Sequence, residues 1–168
     1  MGIETMSIQH GSIGKHHKFS NLNVNKYLVW SDKFGQRLIE SNFKSNYIPV
    51  GCPAYDSYFN IDRQSDYEKK TDLLFLPNPG VSETPESEVE YALKMCCDYA
   101  TRFNKFRLFI KAHPGGDQKI LEDYVDKLDT KNIVVLDKQS KIEYHKYLFV
   151  FTMNSTVGLD CAVHKVPI

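Results

Sequence analysis

From residue 73 onward, short apolar segments alternate with longer amphipathic ones, and this alternation constrains the fold more than any other feature. The apolar segments predict strands at residues 73–76, 107–111, 133–136 and 148–151. Between the first two, Val89, Leu93 and Ala100 recur at helical spacing. Strands that alternate with helices in this way predict a parallel sheet covered by helices. Ligands bind such sheets beyond the carboxyl ends of the strands, so the loops at residues 77–82, 113–116 and 152–158 are the candidate binding segments.

The first fifty residues show the same alternation on a smaller scale. Strands are predicted at residues 5–10, 27–30 and 47–50. A helix is predicted between the second and third of these strands, and Ser31 is expected to cap it. A polar stretch without a clear period follows. We therefore predict α/β architecture in two parts: residues 1–58 as the end of one Rossmann-like domain, 59–72 as a crossover linker, and 73–168 as a second Rossmann-like domain.

Composition excludes several classes of function. The chain is 42% hydrophobic and 25% charged, with a formal net charge of zero, which gives no electrostatic footprint for nucleic acid or for an anionic membrane. No apolar run approaches the ~20 residues that span a bilayer, and no signal-peptide pattern begins the chain. The four cysteines lack metal-ligand spacing, so no metal site is predicted. We expect a cytoplasmic protein.

Lys111-Ala-His113-Pro114 stands where a predicted strand ends. A histidine in this position can donate to a phosphate oxygen or act as a general acid, because its pKa normally lies near neutral pH. Two glycines follow and would let a ligand approach the backbone. Spacing alone favours the simpler interpretation, which is a surface histidine at an ordinary strand-to-helix turn.

Asn154-Ser155-Thr156-Val157-Gly158 follows the last predicted strand. Two hydroxyls at a helix start can bind an anion, although the same residues can simply cap the helix. Asp160 follows within the helix and could accept from a ribose or merely favour the helix dipole.

Gln9-His10-Gly11 follows a strand in the first part of the chain. These residues could face a ligand across a cleft, or they could be the polar start of a loop, and spacing alone favours the loop.

Five motifs occur together in a recognisable order: IQHG, YLVWSDKFGQRLIE, VGCPAYD, IKAHPGG and FTMNSTVGLDCAVHKVPI. The set resembles bacterial capsule and surface-polysaccharide glycosyltransferases of the GT-B type. The most similar are the capsule polysaccharide biosynthesis (Kdo transferase-like) proteins; polysialyltransferases and CDP-glycerol glycerophosphotransferases are similar in plan. The resemblance covers most of the chain, and its specific parts are the His-Pro and Asn-Ser-Thr-Val-Gly motifs.

The resemblance implies that a nucleotide-activated donor binds the second of two Rossmann-like domains. The residues it assigns to donor binding are Lys111, His113, Asn154, Ser155, Thr156, Gly158 and Asp160. It makes His113 and His10 the catalytic candidates and puts Gln9, His10 and Gly11 on the acceptor side of a cleft. It implies no metal and no cofactor, a CMP- or CDP-linked donor as substrate, and a glycan or lipid-linked acceptor. Peripheral membrane association of a full-length protein stays open.

Two departures from the family pattern stand out. Lys165 occupies the place of a glycine before the final proline, where a left-handed helix end would be less favourable with lysine. The chain also has about half the length of two full domains, and the start of the first domain, where a catalytic acid would be expected, is not recognisable. We therefore expect a fragment that is incomplete at both ends. Two alternatives remain: a nucleotide-binding remnant without catalysis, and a protein related to sugar-nucleotide epimerases.

Overall fold

A computed structural model describes residues 2–11, 13, 23–41, 44, 46–58, 69–78, 85–153 and 155–168. The chain divides into two compact units, Met1–Ile61 and Asp62–Ile168, and each is described separately. Both contain a parallel sheet with helices, which confirms the predicted α/β, Rossmann-like class. Most of the predicted linker lies outside the described residues, and its last residue, Asp72, already belongs to a strand.

In its described residues, the first unit is a three-stranded parallel sheet with one α-helix. Its elements are β1 (Met6–Ile8), β2 (Lys26–Val29), α1 (Asp32–Glu40) and β3 (Asn46–Pro49), and the strands lie in the order β1-β2-β3. Tyr27 and Val29 alternate with Leu28 along β2, so both point to one face of the sheet, where they pack with Leu38 of α1 and with Ile13. A 3-10 turn, Pro53–Tyr58, follows β3.

The described part of the second unit is a four-stranded parallel sheet with helices on both faces. Its strands are β4 (Asp72–Leu76), β5 (Arg107–Lys111), β6 (Ile133–Leu136) and β7 (Phe149–Thr152), and its helices are α2 (Glu86–Arg102), α3 (Gln118–Asp126) and α4 (Val157–Val163). The strand order is β6-β5-β4-β7. The helix expected at residues 141–147 is a single 3-10 turn, Tyr144–Lys146.

β4 lies at the centre of this sheet and is buried on both faces. Leu73 and Phe75 pack into the core with α2 and α3, whereas Leu74 and Leu76 pack on the other face with Cys161 of α4. A strand covered on both sides cannot alternate apolar with polar residues. This explains why residues 73–76 are apolar without interruption.

The helices begin in different ways. Ser31 occupies the N-cap position of α1 as predicted, but its side chain makes no capping hydrogen bond. Pro85 precedes α2, where its fixed φ suits the helix start. Asp117, not predicted as a cap, accepts a hydrogen bond from the Lys119 backbone N–H at 2.9 Å and caps α3.

α4 ends in a left-handed turn at Lys165, the conformation that is expected to be less favourable with lysine than with glycine. The Val166 N–H donates to the Cys161 carbonyl at 2.9 Å, the Lys165 N–H donates to the Ala162 carbonyl at 3.0 Å, and Lys165 has a φ of 54°. These are the two hydrogen bonds of a Schellman motif. Glycine is the most common residue at the left-handed position of this motif, which Lys165 occupies here. Val166 and Cys161 also pack together in the core.

Lys165→Gly is therefore expected to raise the free energy of unfolding of the second unit by about 0.5–1 kcal/mol. A left-handed residue with a Cβ costs about 1–2 kcal/mol, and the greater entropy of glycine in the unfolded chain offsets part of the gain. Urea denaturation measures the change. Lys165→Ala is the control, because it removes the same side chain but keeps the Cβ; a glycine variant no more stable than the alanine variant would contradict the explanation.

Candidate functional site

All four strands of the second unit are parallel, so their carboxyl ends lie along one edge of the sheet. β5 and β6 lie on one side of β4, whereas β7 lies on the other. The strand order therefore reverses between β4 and β7, and such a switch point is where open α/β sheets bind ligands. The loops after β5 and β7 are separated by one strand, or roughly 10 Å at two interstrand spacings.

His113 lies in the loop after β5 and is exposed. Its Nδ1 accepts a hydrogen bond from the Gly115 N–H at 3.1 Å, and the Gly116 N–H donates to the His113 carbonyl at 2.7 Å. A neutral imidazole with Nδ1 as acceptor carries its proton on Nε2. The turn thus fixes the tautomer and makes Nε2 the donor to a ligand at this edge.

Ser155 and Thr156 lie between β7 and α4. The Ser155 Oγ accepts from the Val157 N–H at 3.3 Å, while Thr156 occupies the N-cap position without a side-chain capping bond. Asn154 lies outside the described residues, so its role stays a prediction. A Cβ built on Gly158 would come no closer to another residue than 3.5 Å, to the Ile168 Cδ1; packing therefore does not require glycine there.

Thr152, the last residue of β7, was not predicted as a site residue. It is paired with Leu76 of β4 across the switch point. Its Oγ1 is buried and has no hydrogen-bond partner among the described residues. Buried hydroxyls normally have a partner, so this oxygen is a further candidate ligand contact. No sequence signal distinguishes it, since threonine is common in strands.

Lys111 is buried, with 7% of its surface exposed. Its Nζ donates to the Lys138 carbonyl at 2.6 Å, and the Lys138 N–H donates to the Gln118 Oε1 at 2.7 Å. Side chains from β5 and α3 therefore hold one residue of the loop after β6. This arrangement gives Lys111 a role in fixing that loop, a role that its place in the motif did not reveal.

Asp160 faces the segment that enters β7. Its Oδ2 accepts a long hydrogen bond, 3.4 Å, from the Tyr144 hydroxyl, and Tyr144 also stacks on His164, with ring centroids 5.2 Å apart. Asp160 itself lies in the first turn of α4, so its contact with Tyr144 joins the start of this helix to the segment before β7. The predicted ribose contact stays a prediction, and the observed contacts give Asp160 a structural role.

The residues predicted on the acceptor side lie at the carboxyl end of β1 in the first unit. Gln9 is buried; its Nε2 donates to the Gly11 carbonyl at 2.7 Å and its Oε1 accepts from the Trp30 N–H at 2.8 Å. The side-chain amide of Gln9 thus links the loop after β1, through its nitrogen, to the loop after β2, through its oxygen. His10 is exposed, and its predicted catalytic role is untested.

A cavity of about 380 Å³ lies beside the His113 loop, within the second unit. Its lining combines apolar residues with three carboxylates and is formed by Pro77, Glu86, Val89, Glu90, Leu93, Ala112, Gly115, Gly116, Asp117, Ile120 and Leu121. Like charges repel, so Glu86, Glu90 and Asp117 make this cavity unsuitable for a phosphate. The phosphate site is better sought on the β4–β7 side of His113.

Metal-ligating clusters and reactive thiols would be the other sources of chemistry in the described part of the chain. No group of three or more metal-ligating side chains is found there. Burial raises the pKa of Cys96 to about 11, of Cys97 to about 12 and of Cys161 to about 11. Thiols with such pKa values are protonated at neutral pH and are poor nucleophiles.

No model of a known protein family matches the chain, and no curated protein sequence matches it. Among the described residues, no helix is long and apolar enough to cross a membrane. The fold is therefore the firmest basis for a functional proposal: a Rossmann-like sheet with polar side chains at its switch point.

Proposed function

We propose that the second unit binds the phosphate groups of a nucleotide-activated donor, and that the protein acts as a glycosyltransferase of the GT-B type. The reaction is transfer of a sugar or polyol phosphate to a surface or capsular polysaccharide. The donor is a CMP- or CDP-linked compound from the cytoplasm, and the acceptor is a glycan or a lipid-linked glycan. The motif resemblance supplies this reaction class, and the carboxyl edge of the second sheet supports the binding step.

One observation carries the proposal. The strand order β6-β5-β4-β7 brings the loops of His113 and of Ser155 and Thr156 to the same edge of the sheet, on either side of β4. Two segments more than forty residues apart in sequence thus offer hydrogen-bond donors on loops that flank β4, roughly 10 Å apart at two interstrand spacings. Ligands bind such sheets at the switch point, which lies here between β4 and β7, and the loop of Ser155 and Thr156 borders it.

The chemistry follows from the donors at this edge. Transfer leaves negative charge on the departing phosphate, and donors fixed before the reaction stabilise that charge without reorganising. His113 offers Nε2–H in a tautomer that the Gly115 N–H holds, so its imidazole can donate a hydrogen bond to the leaving phosphate oxygen. Ser155, Thr156 and Thr152 add hydroxyls. α4 has only seven residues, so its dipole is small. The side chains therefore contribute more than the helix dipole to stabilising the charge on the phosphate.

Two alternatives share part of this account. A nucleotide-binding protein without catalysis would use the same edge, and only turnover distinguishes it from a transferase. A sugar-nucleotide epimerase would also bind the donor phosphates but would require catalytic carboxylates in the first unit, which the motifs there do not offer.

Calorimetric titration of the whole protein with CMP, CDP and UDP tests the binding step. We expect at least one to bind, and His113→Ala to weaken binding about 10–100-fold, the loss expected for one hydrogen bond to a charged group. His113→Gln, which retains a donor near the Nε2 position, should recover part of the affinity.

His145→Ala is the matched control, because His145 is an exposed histidine of the same unit that precedes β7 at the opposite edge. It should bind as the wild type does. Binding of no nucleotide, or equal losses in the two alanine variants, would overturn the proposed site.

A further inference from the structure

The outer face of α2 carries a row of large apolar side chains that the second unit does not bury. Tyr91, Met95 and Tyr99 follow one another at intervals of four residues, and they are 66%, 53% and 43% exposed. This spacing puts them on one face of the helix. The opposite side is the core face, formed by Val89, Leu93, Cys97 and Ala100. α2 therefore has two apolar faces, and the described residues of the chain cover only one of them.

Two charges of opposite sign frame this row. Glu88 lies seven residues before Met95 and Arg102 lies seven residues after it, and both are exposed. Seven residues are almost two helical turns, so both charges lie on the same face as the apolar row. The spacing Glu88, Tyr91, Met95, Tyr99, Arg102 is symmetric about Met95, whereas the charges at its two ends are opposite.

We propose that this face binds the same face of a second copy of the chain, with the two α2 helices antiparallel and a two-fold axis near Met95. The symmetry of the spacing then pairs Glu88 with Arg102 of the other copy, twice. Tyr91 likewise meets Tyr99 of the other copy, and the two Met95 side chains meet at the axis. Such an interface is isologous, since one patch complements itself.

The C-terminal half of the face is already ordered for such contact. Tyr99 packs against Phe103 and Phe106, with ring centroids 4.8 Å and 5.8 Å away. The Arg102 guanidinium lies 5.5 Å from the Phe103 ring. Rings and a guanidinium that are held in place lose little entropy on binding, and these side chains are enriched in protein interfaces.

The charges favour a second copy over an anionic membrane. The N-terminal turns of α2 expose Glu86, Glu88 and Glu90, which an anionic lipid surface would repel. An antiparallel copy instead brings its basic end, with Arg102, to this acidic end. Between Glu88 and Arg102 the face is about 21 Å long at 1.5 Å per residue. This is a small interface, for which we expect a dissociation constant in the micromolar range, roughly 1–100 µM.

Sedimentation of the whole protein over a range of concentrations tests the proposal. We expect a monomer–dimer equilibrium that Met95→Lys weakens at least about tenfold, since it puts two like charges together at the axis. Glu88→Arg and Arg102→Glu should each weaken the dimer, and the double variant should restore it because both pairs re-form with reversed charges. Glu90→Arg is the matched control: it makes the same charge change two residues away, on a different side of the helix.

Three outcomes would overturn the proposal. They are a protein that stays monomeric up to about 100 µM, a dimer that Met95→Lys leaves intact, and a double variant that dimerises no more tightly than the single variants. Binding to vesicles of anionic phospholipid that Met95→Lys abolishes, with the protein monomeric in solution, would assign the face to a membrane instead. Circular dichroism melts of each variant verify that these surface substitutions leave the fold intact.

Discussion

Replacing Asn132 by aspartate is expected to lower the free energy of unfolding of the second unit by about 2–4 kcal/mol. The Asn132 Nδ2 donates to the Ala100 carbonyl at 2.7 Å and to the Phe106 carbonyl at 3.1 Å, and its Oδ1 accepts from the Thr130 hydroxyl. The side chain thus joins the last turn of α2 to the strand entrance of β6. Asn132→Asp retains the shape but sets a carboxylate oxygen against two carbonyl oxygens.

The pH dependence of this variant identifies the cause. Next to two carbonyls the new carboxyl group is better accommodated in its neutral form, which can donate, so folding should raise its pKa above the unfolded value of about 4. A raised folded pKa means that stability is fully present below the unfolded pKa and is lost as pH rises through the folded pKa. The deficit relative to the wild type should therefore shrink as pH falls toward about 4.

Asn132→Ala serves as the control. It removes the two donated bonds without introducing a charge, so we expect a smaller loss, about 1–3 kcal/mol, that does not change with pH. Urea denaturation at several pH values separates the variants. An aspartate variant as stable as the wild type, or one whose deficit is the same at every pH, would contradict the assigned role of the amide.

Gly35→Ala is expected to destabilise the first unit by about 1–3 kcal/mol, although alanine is the better helix former by about 1 kcal/mol. Gly35 lies in α1, where the helix crosses Tyr47 of β3. A Cβ built at this position would lie 2.3 Å from the Tyr47 Cδ2 and Cε2 and 2.6 Å from its Cγ. Such distances are far inside van der Waals contact, so the ring or the helix must move.

A double-mutant cycle verifies this explanation. In a Tyr47→Ala background the ring is absent, so adding Gly35→Ala should be neutral or stabilising, as helix propensity alone predicts. The unfolding free energies of the four proteins give the coupling between the two positions. If alanine at residue 35 destabilises equally with and without the ring, the clash is not its cause.

The strands were predictable because burial leaves a direct trace in the sequence. Arg107–Lys111 and Ile133–Leu136 have the predicted bounds, and β4 and β7 differ from prediction by one residue at the ends. A strand covered on both faces must be apolar throughout, and that pattern is independent of its neighbours. The expected helix at residues 141–147 failed because Tyr147 is drawn into the core beside Phe109, which leaves room for a single turn.

Strand order and side-chain partners could not be predicted in the same way. Nothing local to residues 149–152 indicates that β7 pairs with β4 rather than with β6. The roles of Gln9, Lys111 and Asn132 depend on carbonyls and N–H groups that come from distant residues. Motif position suggested a ligand for Gln9 and Lys111, whereas tertiary contacts use their polar groups within the fold.

The proposed site therefore contains fewer residues than the motifs implied. His113, Ser155 and Thr156 share one edge of the second sheet, and Thr152 joins them there. Lys111 and Asp160 contact other parts of the same unit. The proposed phosphate site therefore depends on one imidazole and three hydroxyls.

The most direct test of this site is amide NMR of the ¹⁵N-labelled protein during titration with CDP. We expect the largest shifts at the amides of Gly115, Gly116, Val157 and Gly158, on the two loops that flank β4. Amides that begin the strands at the opposite edge, such as that of Asp72, should move little. Shifts confined to that opposite edge, or to the first unit, would contradict the proposed site.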